Sequence, residues 1–391
     1  MPHSEVYIID ALRTPFARPF SRLQEFDSAG LAALLLDEFR ERHFSGSCHP
    51  DAVILGSTVT AGTGQNFVRR ALLDAGFALT VPGFCVDSVC GSGMQAVLTA
   101  SRMIRSGDAG VVIAGGTESV SHMPGLVFKA GHKSGGVKDE NESLVQDGLL
   151  CSVTGQHMGI LCEDLAGREG ISRAQQDDAA FASYNKALAA REAGKIRKEI
   201  MPIRLQSGQT LTRDETLRKN LTRAGFDQFR PVFRKNGTIT AANSSAPCDG
   251  AALLVLAGAE AVKRQGWQPL ARICSVSQVA GDPRETFALA VPAVKKAIQE
   301  HNFNLDDIGL IELSEAFSAQ VIYTARELGI DPRRLNIYGG DAAIGHPLGA
   351  AGARILTTLT HALGQEQVRR GLACVCFGGG GSLAAVLERL D

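Results

Sequence analysis

A repeat constrains this chain more than any other feature. Five short patterns occur near the start and again, in the same order, near the end. "VYIIDA" (Val6–Ala11) is matched by "ARICSVSQVAG" (Ala271–Gly281), and "AGLAALLLDEFRER" (Ala29–Arg42) by "FALAVPAVKKAIQEHN". "AVILGSTV" (Ala52–Val59) is matched by "IGLIELSEAF", the run after Cys90 by "GAAGARILTTLTHAL", and "GVVIAGG" (Gly110–Gly116) by "GLACVCFGGGG" (Gly371–Gly381). Short apolar runs of strand length alternate with amphipathic helical patterns, which predicts a duplicated α/β unit with a mostly parallel sheet.

At 391 residues the chain is too long for one ordinary core, and the two copies leave a stretch between them. That stretch, residues 121–244, is richer in polar loops such as "KAGHKSGGVKDENES" and "RDETLRKNLTRAGFDQFR". It also holds one clear helix from Ser172 to Gly194, with Ser172 and Gln175 placed for a capping box and Gly194 as the stop. The expected division is therefore residues 1–120 completed by 245–270, an inserted loop domain over 121–244, and a second half over 271–391.

Lys and Arg number 40 against 41 Asp and Glu, so no net field favours nucleic acid or an anionic membrane. The longest apolar runs, such as Ala251–Ala259, are too short to span a bilayer, so no membrane insertion is expected. "EVYIIDALRTP" has no charged-then-apolar leader, and no secretory signal is expected. The nine cysteines include no C-x-x-C pair, which argues against a zinc site or a disulfide framework. A reduced, cytoplasmic setting and no bound metal are expected.

Four glycine-rich corners carry the candidate chemistry: Cys90-Gly-Ser-Gly, Ala114-Gly-Gly, Gly345-His346-Pro347-Leu348-Gly349 and Cys376-Phe377-Gly378-Gly379. In open α/β folds such corners gather at the carboxyl ends of strands, where ligands bind. Cys90 precedes a helix starting near Gly91, whose positive end favours a thiolate. A buried packing cysteine does not call for the glycines around it, whereas Cys85, Cys162, Cys274 and Cys374 fit that bland role well. His346 can accept a proton from a thiol or donate to an oxyanion, and Cys376 can act as a second acid/base thiol. Taken singly, both also fit a hydrogen-bonded turn histidine and a buried cysteine.

Together the motifs "CGSG", "GGTESVS", "DGL", "HMG", "DE-x-x-R", "TAANSS", "EAF", "GHPLGAAGAR" and "CFGGGG" follow the order and spacing of one family, and the chain resembles the thiolases over essentially its whole length. The resemblance implies a thiolase fold, a duplicated five-layered α-β-α-β-α core with an inserted loop domain. It also implies acyl transfer between coenzyme A thioesters through an acyl-cysteine, with no tightly bound cofactor. On this resemblance Cys90 is the acylated nucleophile, His346 activates it, and Cys376 moves the proton at the α-carbon of acetyl-coenzyme A. The N–H groups of Cys90 and Gly378 form one oxyanion hole, and His346 with a bound water forms the second. His157 and Met158 line the pantetheine tunnel, Phe233 and Phe317 wall it, Ser245 contacts the pantetheine arm, and Arg218 lies beside the nucleotide.

The chain departs from the family pattern at Ser314, where an Asn or His usually precedes Glu-Ala-Phe and holds the oxyanion-hole water. Serine keeps a hydroxyl for that task, which predicts retained but altered activity. Cys248, before Asp249-Gly250, is read as a packing variant. "TAANSS" and the residue before "EAF" point to longer 3-ketoacyl chains and β-oxidation, "HMG" and "GTGQN" to acetoacetyl-coenzyme A. The expectation is a broad 3-ketoacyl-/acetoacetyl-coenzyme A thiolase. Ketoacyl synthases, with one cysteine and two histidines, fit the Cys376 corner less well. A catalytically weak subunit or scaffold of a fatty-acid oxidation complex is the alternative. "GTGQNFVRRALLDAG" (Gly62–Gly76) resembles the family's dimer-interface segment, so a homodimer or homotetramer is expected, with a hydratase–dehydrogenase subunit as a further compatible partner.

Overall fold

A computed structural model describes residues 5–44, 48–129, 137–218 and 220–390. Strand β1 (Val6–Arg13) leads into helix α1 (Ser28–His43), β2 (Ala52–Gly56), α2 (Phe67–Asp74), β3 (Gly83–Val86), α3 (Ser92–Ser106) and β4 (Val111–Glu118). Next come the antiparallel pair β5 (Gly125–Lys129) and β6 (Val137–Glu142), helices α4 (Met158–Arg168) and α5 (Arg173–Glu192), and the short pair β7 (Ile203–Arg204) and β8 (Thr210–Leu211). The chain returns with β9 (Gly250–Gly258), α6 (Ala259–Gln265), β10 (Ala271–Ala280), α7 (Ala290–Gln299), β11 (Leu310–Leu313), α8 (Ser318–Leu328), α9 (Asp341–Ile344), α10 (Ala351–Gln365), β12 (Arg370–Phe377) and β13 (Gly381–Arg389). Part of the polar run "KAGHKSGGVKDENES", residues 130–136, lies outside the described residues.

The repeat is visible in the sheet. Nine strands run in the order β11-β12-β13-β10-β1-β9-β4-β2-β3. Each half pairs its second strand in parallel with the next (β2 with β4, β11 with β12), adds an antiparallel neighbour (β9, β13), and ends on its own first strand (β1, β10). Both first strands carry a bulge at the matching place, between Ile8 and Asp10 and between Ile273 and Ser275. The halves join where Val6–Ile8 pairs with Ala271–Ile273.

The sequence predicts a mostly parallel sheet, and the structure corrects this. Three of its strand pairings are parallel, β2–β3, β2–β4 and β11–β12, and the other five are antiparallel. A strand buried on both faces reads as an apolar run whichever way it points. The decisive local signal was "GGGG". Gly379 and Gly380 adopt φ of +85° and +88°, which turns β12 directly back into β13 instead of into a crossover helix.

Alternate residues of each strand face different cores. Val53, Leu55, Ile113 and Leu253 pack under α1 and α2. Ile54, Val112 and Leu254 face inward with Val375, Ala385 and Leu387 of the other half, against α3 and α10. Ile311, Leu372, Ala384 and Val386 face α7 and α8 on the far side. The layers are thus helix, sheet, helix, sheet, helix. The two central helices come unusually close: a Cβ on Gly93 would lie 2.9 Å from the Gly349 oxygen, so only glycine fits there.

Helix α5 has the predicted capping box between Ser172 and Gln175. It forms a small core of its own with Leu217, Phe226, Ala242 and Ile344. Helix α4, from the same inserted stretch, instead joins the outer core of the second half through Leu161, Cys162 and Leu165. We propose that residues 121–244 form a loop domain between the two halves, with α4 as the element fastening it to the second.

Candidate active site

Cys90 sits in a single 3-10 turn, Val89–Gly91, directly before α3. The preceding Val89 has φ +50°, an uncommon conformation for a β-branched residue and one that costs on the order of 1–3 kcal/mol. Three hydrogen bonds hold it. Asp87 Oδ1 accepts from Val89 N (2.8 Å), Ser92 Oγ accepts from Ser88 N (2.8 Å), and the same hydroxyl donates to the Val89 carbonyl (2.6 Å). The serine of "CGSG" therefore braces the elbow that presents the thiol.

His346 is brought to the same place from the other half. Its backbone N–H donates to the Ala246 carbonyl at 2.9 Å, and the residue is 4% exposed. Ring Nδ1 lies 3.1 Å from Asp341 Oδ2. A carboxylate only accepts, so Nδ1 carries the proton and Nε2 points toward the cavity. Among the described residues Nε2 has no hydrogen-bond partner in normal geometry. Burial lowers the affinity of His346 for a proton. The charge of Cys90 and the bond to Asp341 outweigh burial and push its pKa up to about 10.

Asp341 is fully buried, with Oδ2 accepting from Ser314 Oγ (2.7 Å) and Glu315 N (2.9 Å), while Arg354 Nη2 donates to Oδ1. Burial alone would raise its pKa, but Arg354, His346 and Ser314 hold it well below the usual carboxylate range. Cys376 ends β12 with Gln320 Nε2 and Ser382 Oγ each 3.8 Å from its sulfur, and burial raises its thiol pKa far above the ordinary value.

Cys90, His346 and Cys376 line one cavity of about 180 Å³ together with Gly378, His157, Met158, Phe233, Ser245 and Phe317. The aromatic wall is continuous. His157 stacks on Phe233 (4.8 Å between centroids), Phe233 meets Phe317 edge-on (5.9 Å), and Phe317 meets Phe287 edge-on (5.3 Å). His157 also caps α4, its Nδ1 accepting from Gly159 N at 3.0 Å, and burial lowers its pKa. Ser245 is fixed by its N–H to the Ala316 carbonyl at 2.9 Å.

Two predicted residues lie elsewhere. Arg218 is not on the cavity wall; its guanidinium stands 5.2 Å from the ring centre of Phe229. Ser314 is buried behind the wall, and the hydroxyl expected to hold a water is donated to Asp341 instead. Sequence reasoning missed Asp341 itself, although an acidic residue inside the apolar, glycine-rich "IYGGDAAIGHP" was a signal. It also missed Phe287, which lines the cavity from the kinked turn Pro283–Leu289 and lay in a run read as one helix. Glu118, at the end of β4, joins the corners: it accepts from Thr58 N (2.9 Å) and from Gly349 N (2.8 Å) of the other half.

With this geometry in place, comparisons with known proteins point one way. The family model described as "Thiolase, N-terminal domain" matches residues 6–260, and "Thiolase, C-terminal domain" matches residues 267–389. The chain is 40% identical over 390 residues to an acetyl-CoA acetyltransferase of Escherichia coli (strain K12), covering 98% of this chain and 99% of that protein. It is 38% identical to the acetyl-CoA acetyltransferase of Paracoccus denitrificans, covering 99% and 100%. Human mitochondrial 3-ketoacyl-CoA thiolase in complex with CoA superposes with a TM-score of 0.94 at 31% identity, covering 100% of both chains. The Bacillus anthracis acetyl-CoA acetyltransferase gives 0.95 at 33% identity, also covering 100% of both.

Proposed function

Because the chain belongs to the thiolase family, we propose that it is an acyltransferase that moves acyl groups between coenzyme A thioesters through an acyl group carried on Cys90. The observation that carries this reading is the meeting of Cys90, His346 and Cys376, from opposite halves of the chain, on one cavity.

In the cleaving direction, His346 Nε2 takes the proton of Cys90 Sγ, and the sulfur attacks the 3-keto carbonyl of a 3-ketoacyl-coenzyme A. The N–H groups of Cys90 and Gly378 receive the oxyanion. The bond between the α-carbon and the keto carbon breaks, and Cys376 gives its proton to the departing enolate, which leaves as acetyl-coenzyme A. The acyl group stays on Cys90. A molecule of coenzyme A then gives its thiol proton to the Cys376 thiolate, attacks the acyl carbonyl and releases the Cys90 thiolate, which takes its proton back from His346. The reverse sequence condenses two acetyl-coenzyme A molecules to acetoacetyl-coenzyme A. The raised pKa of Cys376 suits both directions, because a strongly basic thiolate is needed to take a proton from a weakly acidic thioester α-carbon.

The small, aromatic-walled cavity favours acetoacetyl-coenzyme A and short 3-ketoacyl chains, with a place in fatty-acid β-oxidation or its reversal. His157, Met158, Phe233, Ser245 and Phe317 hold the pantetheine arm. The exposed Leu73, Leu79 and Phe84 lie on or beside the edge strand β3 and support a homodimer or homotetramer. All nine cysteines are free, in keeping with a cytoplasmic protein. No helix among the described residues is long and apolar enough to cross a membrane.

Mass spectrometry of the Cys90 peptide after mixing with acetyl-coenzyme A tests the reading directly, alongside thiolysis across 3-ketoacyl chain lengths. An acetyl group on Cys90 and turnover of acetoacetyl-coenzyme A are expected. A folded protein that never acquires the adduct overturns the proposal and leaves the scaffold alternative.

A further inference from the structure

The histidine at this site has a carboxylate behind it. Helix α9 ends at Ile344, and Gly345 reverses the chain with φ +93°, so that the His346 ring comes back onto Asp341, the first residue of that same helix. Glycine is required at the reversal, because a Cβ there would also lie 2.9 Å from Cys248 Sγ. We propose that Asp341 is a positioning residue of the acyl-transfer reaction: it completes a Cys90–His346–Asp341 relay, with Arg354 clamping its far oxygen and Ser314 sharing the oxygen that faces the histidine. The inference rests on Cys90 being the acylated nucleophile.

Three observations carry it. The Asp341 carboxylate is saturated with donors: Ser314 Oγ, Glu315 N and His346 Nδ1 on one oxygen, and Arg354 Nη2 on the other. Glu315 N and Arg354 Nη2 can only donate, one to each oxygen, so a proton on either oxygen would compete with a fixed donor and the ionised form is the one that fits. The clamp also fixes the carboxylate plane, which fixes the ring plane and leaves Nε2 a single direction, toward the cavity that Cys90 lines. Ser314 accordingly acts two bonds from the histidine, through Asp341.

Cys90 stabilises an imidazolium from the cavity side, and Asp341 does so from behind the ring. Cys90 faces the ring from just before α3, and its charge also raises the Cys376 thiol at the end of β12. Arg354 of α10 faces Asp341, while Glu312 of β11, Glu315 and Cys248 surround it. Burial raises both Glu312 and Glu315, and their carboxylates are turned elsewhere, Glu312 to Arg354 and Glu315 to Ser183 and Ala342 N.

The test compares Asp341→Asn with the parent by two readouts. Iodoacetamide alkylation of Cys90, followed on its peptide against pH, reports the thiolate–imidazolium pair without any thiolase turnover. The alkylation midpoint is expected to rise by about one pH unit, because each unit is a tenfold change in the protonation equilibrium. Thiolysis kcat is expected to fall by about 10²-fold or more, with KM for coenzyme A nearly unchanged. Asp341→Asn leaves the buried Arg354 charge without its main partner, so the double variant Asp341→Asn/Arg354→Met removes both charges and is expected to show the same shift. A folded variant with an unmoved alkylation midpoint overturns the proposal, whatever its kcat. If Cys90 of the parent shows no alkylation preference over the other half-exposed cysteines, Cys48 and Cys85, the nucleophile reading fails instead.

Discussion

The two halves of the molecule bring the same corner to the same place and fill it with different chemistry. In the first half a helix starts at Ser92 just behind Cys90; in the second a helix starts at Ala351 just behind His346. The first corner is held by hydrogen bonds to the backbone, with Ser92 and Asp87 bracing a strained Val89. The second is held by charge, with Asp341, Arg354 and His346 all buried. A nucleophile needs one fixed approach direction, which strain and short hydrogen bonds supply. A proton acceptor needs a stabilised charge, which a buried carboxylate supplies. Duplication provided two equivalent mouths facing each other, and the side chains then divided the labour.

Removing either thiol should break that division in a distinct way. Cys90→Ala is expected to lower thiolysis by roughly 10⁴-fold or more, with no acetyl adduct anywhere on the chain. Cys376→Ala should lower thiolysis and condensation by about 10²- to 10⁴-fold, the range for losing a general acid–base group. It should still form the acetyl adduct on Cys90, more slowly, because Cys90 and His346 remain and the departing coenzyme A thiolate can take its proton from water. If Cys376→Ala blocks acetylation as fully as Cys90→Ala does, the two corners do not divide the work as described.

Much of this was legible because it rests on local pattern. The repeat, the helix from Ser172, and the corners at Cys90, His346 and Cys376 each depend on residues adjacent in sequence, and the structure places those three side chains on one cavity. What escaped depends on pairing across long separations. Strand direction in the sheet was misjudged because burial on both faces erases the alternation that would reveal an antiparallel neighbour. Ser314 was read as a water holder because its partner, Asp341, lies 27 residues away on another element. Arg218 was placed beside the nucleotide by motif register alone, and its guanidinium stands 5.2 Å from the ring centre of Phe229. Phe287 looked like one more apolar residue of a helix, whereas the helix begins only at Ala290.

That last residue gives a milder way to sharpen the contrast. Phe287 closes the cavity beside Cys376, with its carbonyl 4.0 Å from the sulfur. Phe287→Ala should open space on the Cys376 side while leaving the Cys90 elbow untouched. The ratio of kcat/KM for a six-carbon 3-ketoacyl-coenzyme A to that for acetoacetyl-coenzyme A is expected to rise about tenfold, the lower end of what a methylene-sized change in an apolar pocket discriminates. An unchanged ratio would mean that the acyl chain runs elsewhere, with Phe287 only packing against Phe317.

The smallest expected effect concerns the two buried carboxylates, Glu118 and Asp341, one for each half. Both are fully buried, yet their proton affinities move in opposite directions. Burial raises Glu118 despite backbone donors from Thr58, Val59 and Gly349, because no cation among the described residues is paired with it. Arg354 and His346 overcome burial and lower Asp341. For Glu118 the linked stability is present below the unfolded value of about 4.3 and is lost as pH rises through the raised folded value. For Asp341 it is present above about 3.9 and is lost as pH falls through the lowered folded value. Glu118→Gln puts an amide N–H against backbone donors and should cost about 1–3 kcal/mol. Thermal unfolding of each variant against the parent, between pH 4 and pH 7, separates the two. The deficit of Glu118→Gln should shrink toward neutral pH, whereas that of Asp341→Asn should be largest there. Because Glu118 touches the second corner only through the Gly349 N–H, its variant should leave the pH midpoint of Cys90 alkylation in place; a shift as large as that expected for Asp341→Asn would show that the two corners share one electrostatic network rather than two.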